Sequence, residues 1–434
     1  MKKIFSGLLL MVLGTFLCAG CGLADNPKPP AVPSKSKQVL KAMFVAGAND
    51  KAIVDIIRKI TEKFNATNRY HVEVQVETYE NEQYKTKLSA LMASDAAPDI
   101  FFTWPGGFLK PFVEEGKVFA IGTLLNQDAA WKGRFNDGVF APVTFNGRIY
   151  AIPHGQAIAV MFYNTRIFQE QGIEVPKTFT EFKEVCRKLR EAGIVPIAAS
   201  AKDAWIAGQF MLQMALGIGG MDLYDQVAAK TKPWNDPQLI EAGDRLAELV
   251  NLRAFPKGFL SMTADEGRNL FAQEKAAMYF MGSWDLNALS AASVPVAGNI
   301  GVFVVPPVDP AHSNVLIGDV DQCFAISSKC QNAEAAAAYI KMFSDPEIQE
   351  RYAYDAQYLI ATRTKLDTAK VTPLFWEISK LRQNAKQIAP WVDRRLGFGE
   401  GVEFNNAAQA IMAGENPAAR MTALQQLLKD NAFR

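Results

Sequence analysis

Cysteine and histidine are scarce in this 434-residue chain, with five of the first and three of the second. Cys18 and Cys21 sit in an apolar N-terminal leader, and beyond it stand only Cys186, Cys323 and Cys330. An odd set at these spacings argues against a disulfide framework and matches no metal motif. A Cys323 to Cys330 bridge and three unpaired core cysteines both stay open. His71, His154 and His312 are too far apart in sequence to suggest a histidine-rich metal site. Charge of one sign is also missing: 46 basic residues face 45 acidic ones, so no general electrostatic attraction to nucleic acid is expected. There is no repeat of solenoid length. No nucleophile elbow and no histidine-assisted serine or cysteine pattern is present. No cofactor is expected. One later stretch, Ala204 to Met221, holds no charged residue. It carries Gln209, Gln213 and four glycines, which favours a buried core helix over a membrane span.

What is present begins with length, which exceeds what one hydrophobic core organises and points to two compact units. Lys2-Lys3 and the apolar run Ile4 to Leu17 read as an export signal covering residues 1–20, which places the mature protein outside the cytoplasm. Two cleavage readings overlap. Leu17-Cys18-Ala19-Gly20-Cys21 resembles a lipobox, with Cys21 lipidated and the protein held at the membrane through that anchor, although Cys18 stands where leucine is usual. Gly22-Leu23-Ala24 would instead allow ordinary cleavage before Asp25 and a free, periplasmic form. Residues 21–37, with Pro27, Pro29, Pro30 and Pro33, are too polar and proline-rich to pack and read as a tether.

Past the tether, strand and helix alternate. Val39 to Ala46 is a short apolar run fit for a strand, and Ala52 to Phe64 places isoleucines at helical spacing. His71 to Val76 alternates valines, Glu82 to Ala93 is helical, and Asp99 to Thr103 is again a strand. The pattern predicts further strands at 148–153, 159–163, 276–281, 300–305 and 323–327, with helices at 179–191, 238–252 and 265–273. Helices dominate from Ala333 onward, broken at Pro346, Pro373, Pro390 and Pro417. Such alternation indicates a mostly parallel sheet, with ligands at the carboxyl ends of its strands.

Four segments in order resemble the family 1 extracellular solute-binding proteins, the group that includes maltose and multiple-sugar binding proteins of ABC transporters. The first runs from Tyr84-Lys85-Thr86-Lys87-Leu88 to Ala97-Pro98-Asp99-Ile100 and Trp104. The second runs from Gly147-Arg148-Ile149-Tyr150-Ala151-Ile152-Pro153 through Tyr163-Asn164 to Pro176-Lys177-Thr178-Phe179. The third is Phe271-Ala272-Gln273-Glu274-Lys275-Ala276-Ala277-Met278 with Gly282-Ser283-Trp284, where Glu274 replaces the family's glycine at a turn. The last is Gly301-Val302-Phe303 to Pro306-Pro307, followed by Ala325-Ile326-Ser327.

The resemblance implies an α/β, periplasmic-binding-protein-like type II fold, with two discontinuous α/β lobes around a ligand cleft. One lobe would hold residues 38–154 and 309–355, the other 155–308 and 356–434, with crossovers near His154 to Ala157 and Pro306 to Pro310. It further implies no enzyme but the capture subunit of an importer, with a carbohydrate ligand and a membrane permease as partners and no nucleic acid.

A pyranose has apolar faces and a rim of hydroxyls, so its site needs flat aromatic rings beside fixed donors and acceptors. Trp104 after the strand 99–103, and Trp284 with Asp285 after Gly282-Ser283, meet that need, the alternatives being core packing and a helix N-cap. His154 and Gln156 at the first crossover, Trp205, and Asp319 chosen over Asp321 complete the central candidates. Asn49 and Glu80 occupy loops that contact ligand in the resembled family, and Tyr358 and Arg363 are candidates on the segment returning to the second lobe. Trp376 and Trp391 read as packing residues. A carbohydrate-active enzyme would share the aromatics but need two carboxylates about 5 to 10 Å apart across a scissile bond. A polyamine would suit the carboxylates and tryptophans through cation–π contact.

Overall fold

The computed structural model describes residues 37–47 and 50–431. The signal, the tether up to residue 36 and Cys21 therefore lie outside the described residues, as does Asn49. Each early element follows from its apolar spacing. The helix Lys51–Thr67 buries Ile53, Ile56, Ile57, Ile60 and Phe64 along one face. The strand Val72–Tyr79 runs parallel to Gln38–Val45, with Val72 opposite Gln38 and Val74 opposite Leu40, and both valines are buried. The helix Phe179–Glu191 starts where Thr178 accepts the Glu181 N–H at 3.1 Å and Glu181 accepts the Lys177 N–H at 2.7 Å.

Two long strands organise the molecule. Ala151–Asn164 pairs antiparallel with Val315–Ile326 over its first half, Ile152 facing Phe324 and Ile158 facing Gly318. Its second half pairs with Ala276–Gly282, Val160 facing Met281, and with Ile300–Phe303. The main sheet runs in the order Val72–Tyr79, Gln38–Val45, Ile100–Thr103, Val315–Ile326, Ala151–Asn164, Ala276–Gly282, Val195–Ala198. Two hydrophobic cores form on it. One gathers Phe44, Ile56, Phe101, Ile152, Phe324 and Tyr339; the other gathers Ile158, Phe182, Phe210, Phe280, Ile317 and Phe404.

The chain changes core between Ile152 and Ala157, and again between Ile317 and Val320. The second change lies inside a continuous strand, about ten residues beyond the proline-marked site expected from sequence, because Val315–Ile326 itself runs from one core into the other. A third change occurs within 353–361, where Ala353 and Leu359 belong to one core and Ala356 and Ala361 to the other. The uncharged stretch is the first part of the helix Ala204–Ala228, buried in the second core. Among the described residues no helix is long and apolar enough to cross a membrane. Cys186, Cys323 and Cys330 are unpaired.

Candidate binding cavity between the two cores

A cavity of about 480 Å³ opens between the two cores, within the size range of small-molecule sites. The first core contributes Asp50, Glu80, Trp104, Asp321, Gln322 and Tyr358. The second contributes Asp203, Trp205, Gln209, Arg268, Trp284, Asp285, Trp391 and Arg394. The strand ends and the helix starts that follow them place most of these side chains, the arrangement expected of an α/β sheet.

Three tryptophans form one wall. The Trp205 and Trp284 ring centres are 6.0 Å apart at 61°, and Trp284 and Trp391 are 5.4 Å apart at 40°. The sequence Gly282-Ser283-Trp284 has a local reason: the Trp284 ring folds back over Gly282, where a β-carbon would come within 2.3 Å of it. The indole nitrogens differ. Trp391 Nε1 donates to Gln209 Oε1 at 3.1 Å, whereas the buried Nε1 of Trp205 has no hydrogen-bond partner among the described residues. On the facing side Trp104 packs edge-on against Phe102 and Phe108, each at 4.9 Å, with Lys85 Nζ 5.2 Å from its ring centre. Trp104 is therefore both a core residue and a lining residue.

Carboxylates supply the polar rim. Asp285, 7% exposed, makes no cap bond at the start of the helix that follows it. It accepts the Tyr279 hydroxyl at 2.7 Å and pairs with Arg268 at 3.2 Å. Burial pushes its carboxyl above the usual range, against the pull of Arg268. Arg268 also pairs with Asp265 at 2.5 Å. Asp50 accepts the Gly47 N–H at 2.7 Å, and its carboxyl is raised by burial and, in smaller part, by the Asp285 charge. Asp321 pairs with Arg394 at 2.6 Å, both side chains almost fully buried, and burial raises its carboxyl too. Asp203 accepts the Ala264 N–H at 3.1 Å and is likewise raised by burial. The arrangement offers flat apolar faces beside hydrogen-bond acceptors. Among the described residues no cluster of side chains has the make-up to hold a metal ion.

Of the residues singled out from sequence, Glu80, Trp104, Trp205, Trp284, Asp285 and Tyr358 line this cavity. His154, Gln156, Asp319 and Arg363 do not. His154 is packed in the first core, its ring centre 4.1 Å from Tyr352 and 4.9 Å from Phe324. Gln156 is buried opposite Val320 and Leu359 in the sheet. Asp319 turns back to accept the Val320 N–H at 2.6 Å, and its neighbour two residues on, Asp321, takes the cavity position. Arg363 is spent on the Phe135 carbonyl at 2.7 Å and on Asp137. Trp391 lines the cavity although its sequence context suggests packing, and Trp376 is 43% exposed instead of packed. Asp50, Asp203, Gln209, Arg268 and Arg394 carried no motif that would have marked them. Asp50 and Asp203 had one available signal, their position at a helix start, whereas Gln209 and Arg268 lie inside helices.

Residues 47–350 match the family described as bacterial extracellular solute-binding protein. The multiple sugar-binding protein of Streptococcus mutans is 24% identical over 371 residues, which cover 82% of this chain and 81% of its own. A protein solved in work on xylan utilization by the thermophilic bacterium Caldanaerobius polysaccharolyticus superposes with a TM-score of 0.84 at 29% identity, covering 89% of this chain and 99% of that one. A chitin oligosaccharide binding protein superposes at 0.85 with 23% identity, covering 91% and 99%. The fold is the expected α/β type II binding-protein architecture, and the chain belongs to the bacterial extracellular solute-binding protein family.

Proposed function

We propose that this chain captures a sugar or oligosaccharide in the cavity between its two cores and delivers it to the membrane permease of an ABC importer, without turnover. The observation that carries the reading is the wall formed by Trp205, Trp284 and Trp391, facing buried carboxylates across a cavity of about 480 Å³. Indole faces cover the C–H faces of a pyranose, and Asp50, Asp203 and the unmatched Trp205 N–H supply acceptors and a donor for hydroxyls. Two relatives named for binding multiple sugars and chitin oligosaccharide support the ligand class. In this reading the two cores are the cores of two lobes, with hinges at 152–157, 317–320 and 353–361. Ligand touching both lobes favours the closed arrangement that the permease receives.

Calorimetry and thermal shift with maltotriose, xylotriose and chitotriose test the reading, alongside an assay for new reducing ends. Saturable binding of at least one sugar with no new ends is expected; release of reducing ends would make the protein an enzyme. A second ligand reading rests on the surplus of carboxylates over cations in the lining, which also suits a polyamine. Spermidine binding that collapses with added salt, with no sugar binding, would decide for it. Export and anchoring belong to the same proposal: the mass of the mature N-terminus separates a lipidated Cys21 from a chain starting at Asp25.

A further inference from the structure

The segment that carries Trp391 touches the opposite wall at two places. Gly107 of the first-core loop donates its N–H to the Arg394 carbonyl at 2.8 Å. The fit is close: a β-carbon on Gly107 would come within 2.5 Å of the Asp393 carbonyl oxygen and 2.6 Å of that of Leu396. The second contact is the ion pair of Arg394 with Asp321, at 2.6 Å, with side chains only 8% and 6% exposed. Asp321 stands on the first-core half of its strand, whereas Trp391, Val392 and Leu396 pack in the second core. The Arg394 guanidinium also lies 4.3 Å from the centre of the Trp391 ring.

We propose that Arg394 is a positioning residue that latches the two sides of the cleft and ties that closure to the tryptophan wall. The proposal rests on reading the cavity as the ligand cleft. The chemistry makes the latch reversible. The Asp321–Arg394 contact is a short charge–charge contact, 2.6 Å between Arg394 Nη1 and Asp321 Oδ1, with both side chains almost fully buried. A buried pair of this kind gains from attraction about what it loses in desolvation, so it specifies one closed register while leaving opening accessible. The cation over Trp391 fixes the ring only while the pair is made. A ligand stacked on Trp391 then favours the latched state, and the latched state favours the ligand.

The Gly107 amide reports the latch without any ligand, because its acceptor lies on the other side of the cleft. Hydrogen exchange of that amide in the full-length, ligand-free protein is therefore the test. In the natural protein it is protected. Protection falls on the order of tenfold in Arg394→Gln and in Asp321→Asn, with amides in the helices Lys51–Thr67 and Pro237–Asn251 unchanged. Arg394→Lys, which keeps the charge, restores most of the protection. An unprotected Gly107 amide in the natural protein overturns the proposal, as does undiminished protection in both variants, or a loss shared equally by the helices of both cores. Failure of every sugar to bind would undo the function proposed above and leave this result standing by itself.

Discussion

Trp391 and Gln209 are joined by a 3.1 Å hydrogen bond from indole Nε1 to amide Oε1, and the same amide donates to the Phe280 carbonyl at 3.3 Å. Gln209 thus ties a cavity tryptophan to the strand Ala276–Gly282. Gln209→Leu removes both bonds and leaves the buried Trp391 indole N–H without this partner, a loss of about 2 kcal/mol. Urea denaturation is expected to show that loss, and calorimetry with the bound sugar a weaker affinity. Unchanged affinity would mean that the Trp391 ring holds its place without this hydrogen bond.

Trp284 is the central ring of the wall, so its removal separates stacking from packing. Trp284→Ala is expected to weaken sugar binding by about 2 kcal/mol. Gly282→Ala acts on the same ring from behind, since the added carbon occupies its space. It should lower affinity in the same direction while leaving the ring chemistry intact. Normal affinity with lowered stability in Trp284→Ala would assign the ring to the core.

His154 gives the fold an acid-sensitive point. Burial lowers its pKa from 6.5 to about 3, so it stays neutral in the folded protein. The unfolded chain binds the proton below about pH 6.5. Protons are then taken up on unfolding, and stability falls as pH drops from about 6.5 towards 3, by about 2 kcal/mol at pH 5. His154→Phe removes that slope. Denaturation midpoints at pH 7 and pH 5 should converge in the variant relative to the natural protein; equal slopes would place the acid sensitivity elsewhere.

Glu274 holds a left-handed backbone, φ 56°, at the turn where the resembled family has glycine. Its carboxylate compensates by accepting Asn164 Nδ2 at 3.0 Å and Arg166 Nη2 at 2.6 Å. Glu274→Ala loses those bonds and keeps the backbone cost, whereas Glu274→Gly loses the bonds and the cost together. The glycine variant is expected to be more stable than the alanine variant by about 1 kcal/mol in urea. Equal stabilities would show that the turn tolerates the angle without strain.

Much of the architecture was legible because short apolar runs and helical spacing are local properties. The helix Phe179–Glu191 matches the predicted range, and most strand starts fall within a few residues of expectation. The cavity was legible where a residue follows a strand within two positions, as Trp104 and Trp284 do. It was not legible where the address depends on a distant partner. Asp319 and Asp321 are two apart and share the same alternation. A register irregularity between Val320 and Gln322 separates them, just past the point where the strand enters the first core. Trp391 reaches the cavity only because the chain returns after Pro390 to pack beside the helix Ala204–Ala228, a contact with no local signature.

The strand Val315–Ile326 sits between Ile100–Thr103 and Ala151–Asn164 in the sheet. A nascent chain that has emerged only as far as residue 300 therefore holds two half-sheets with bare edges and no means of joining them. Pairing across more than two hundred residues is slow, since loop closure precedes any reward from contact. The two half-sheets cannot join until Val315–Ile326 has emerged, about three quarters of the way along the chain. The delay exposes unpaired strand edges to aggregation meanwhile.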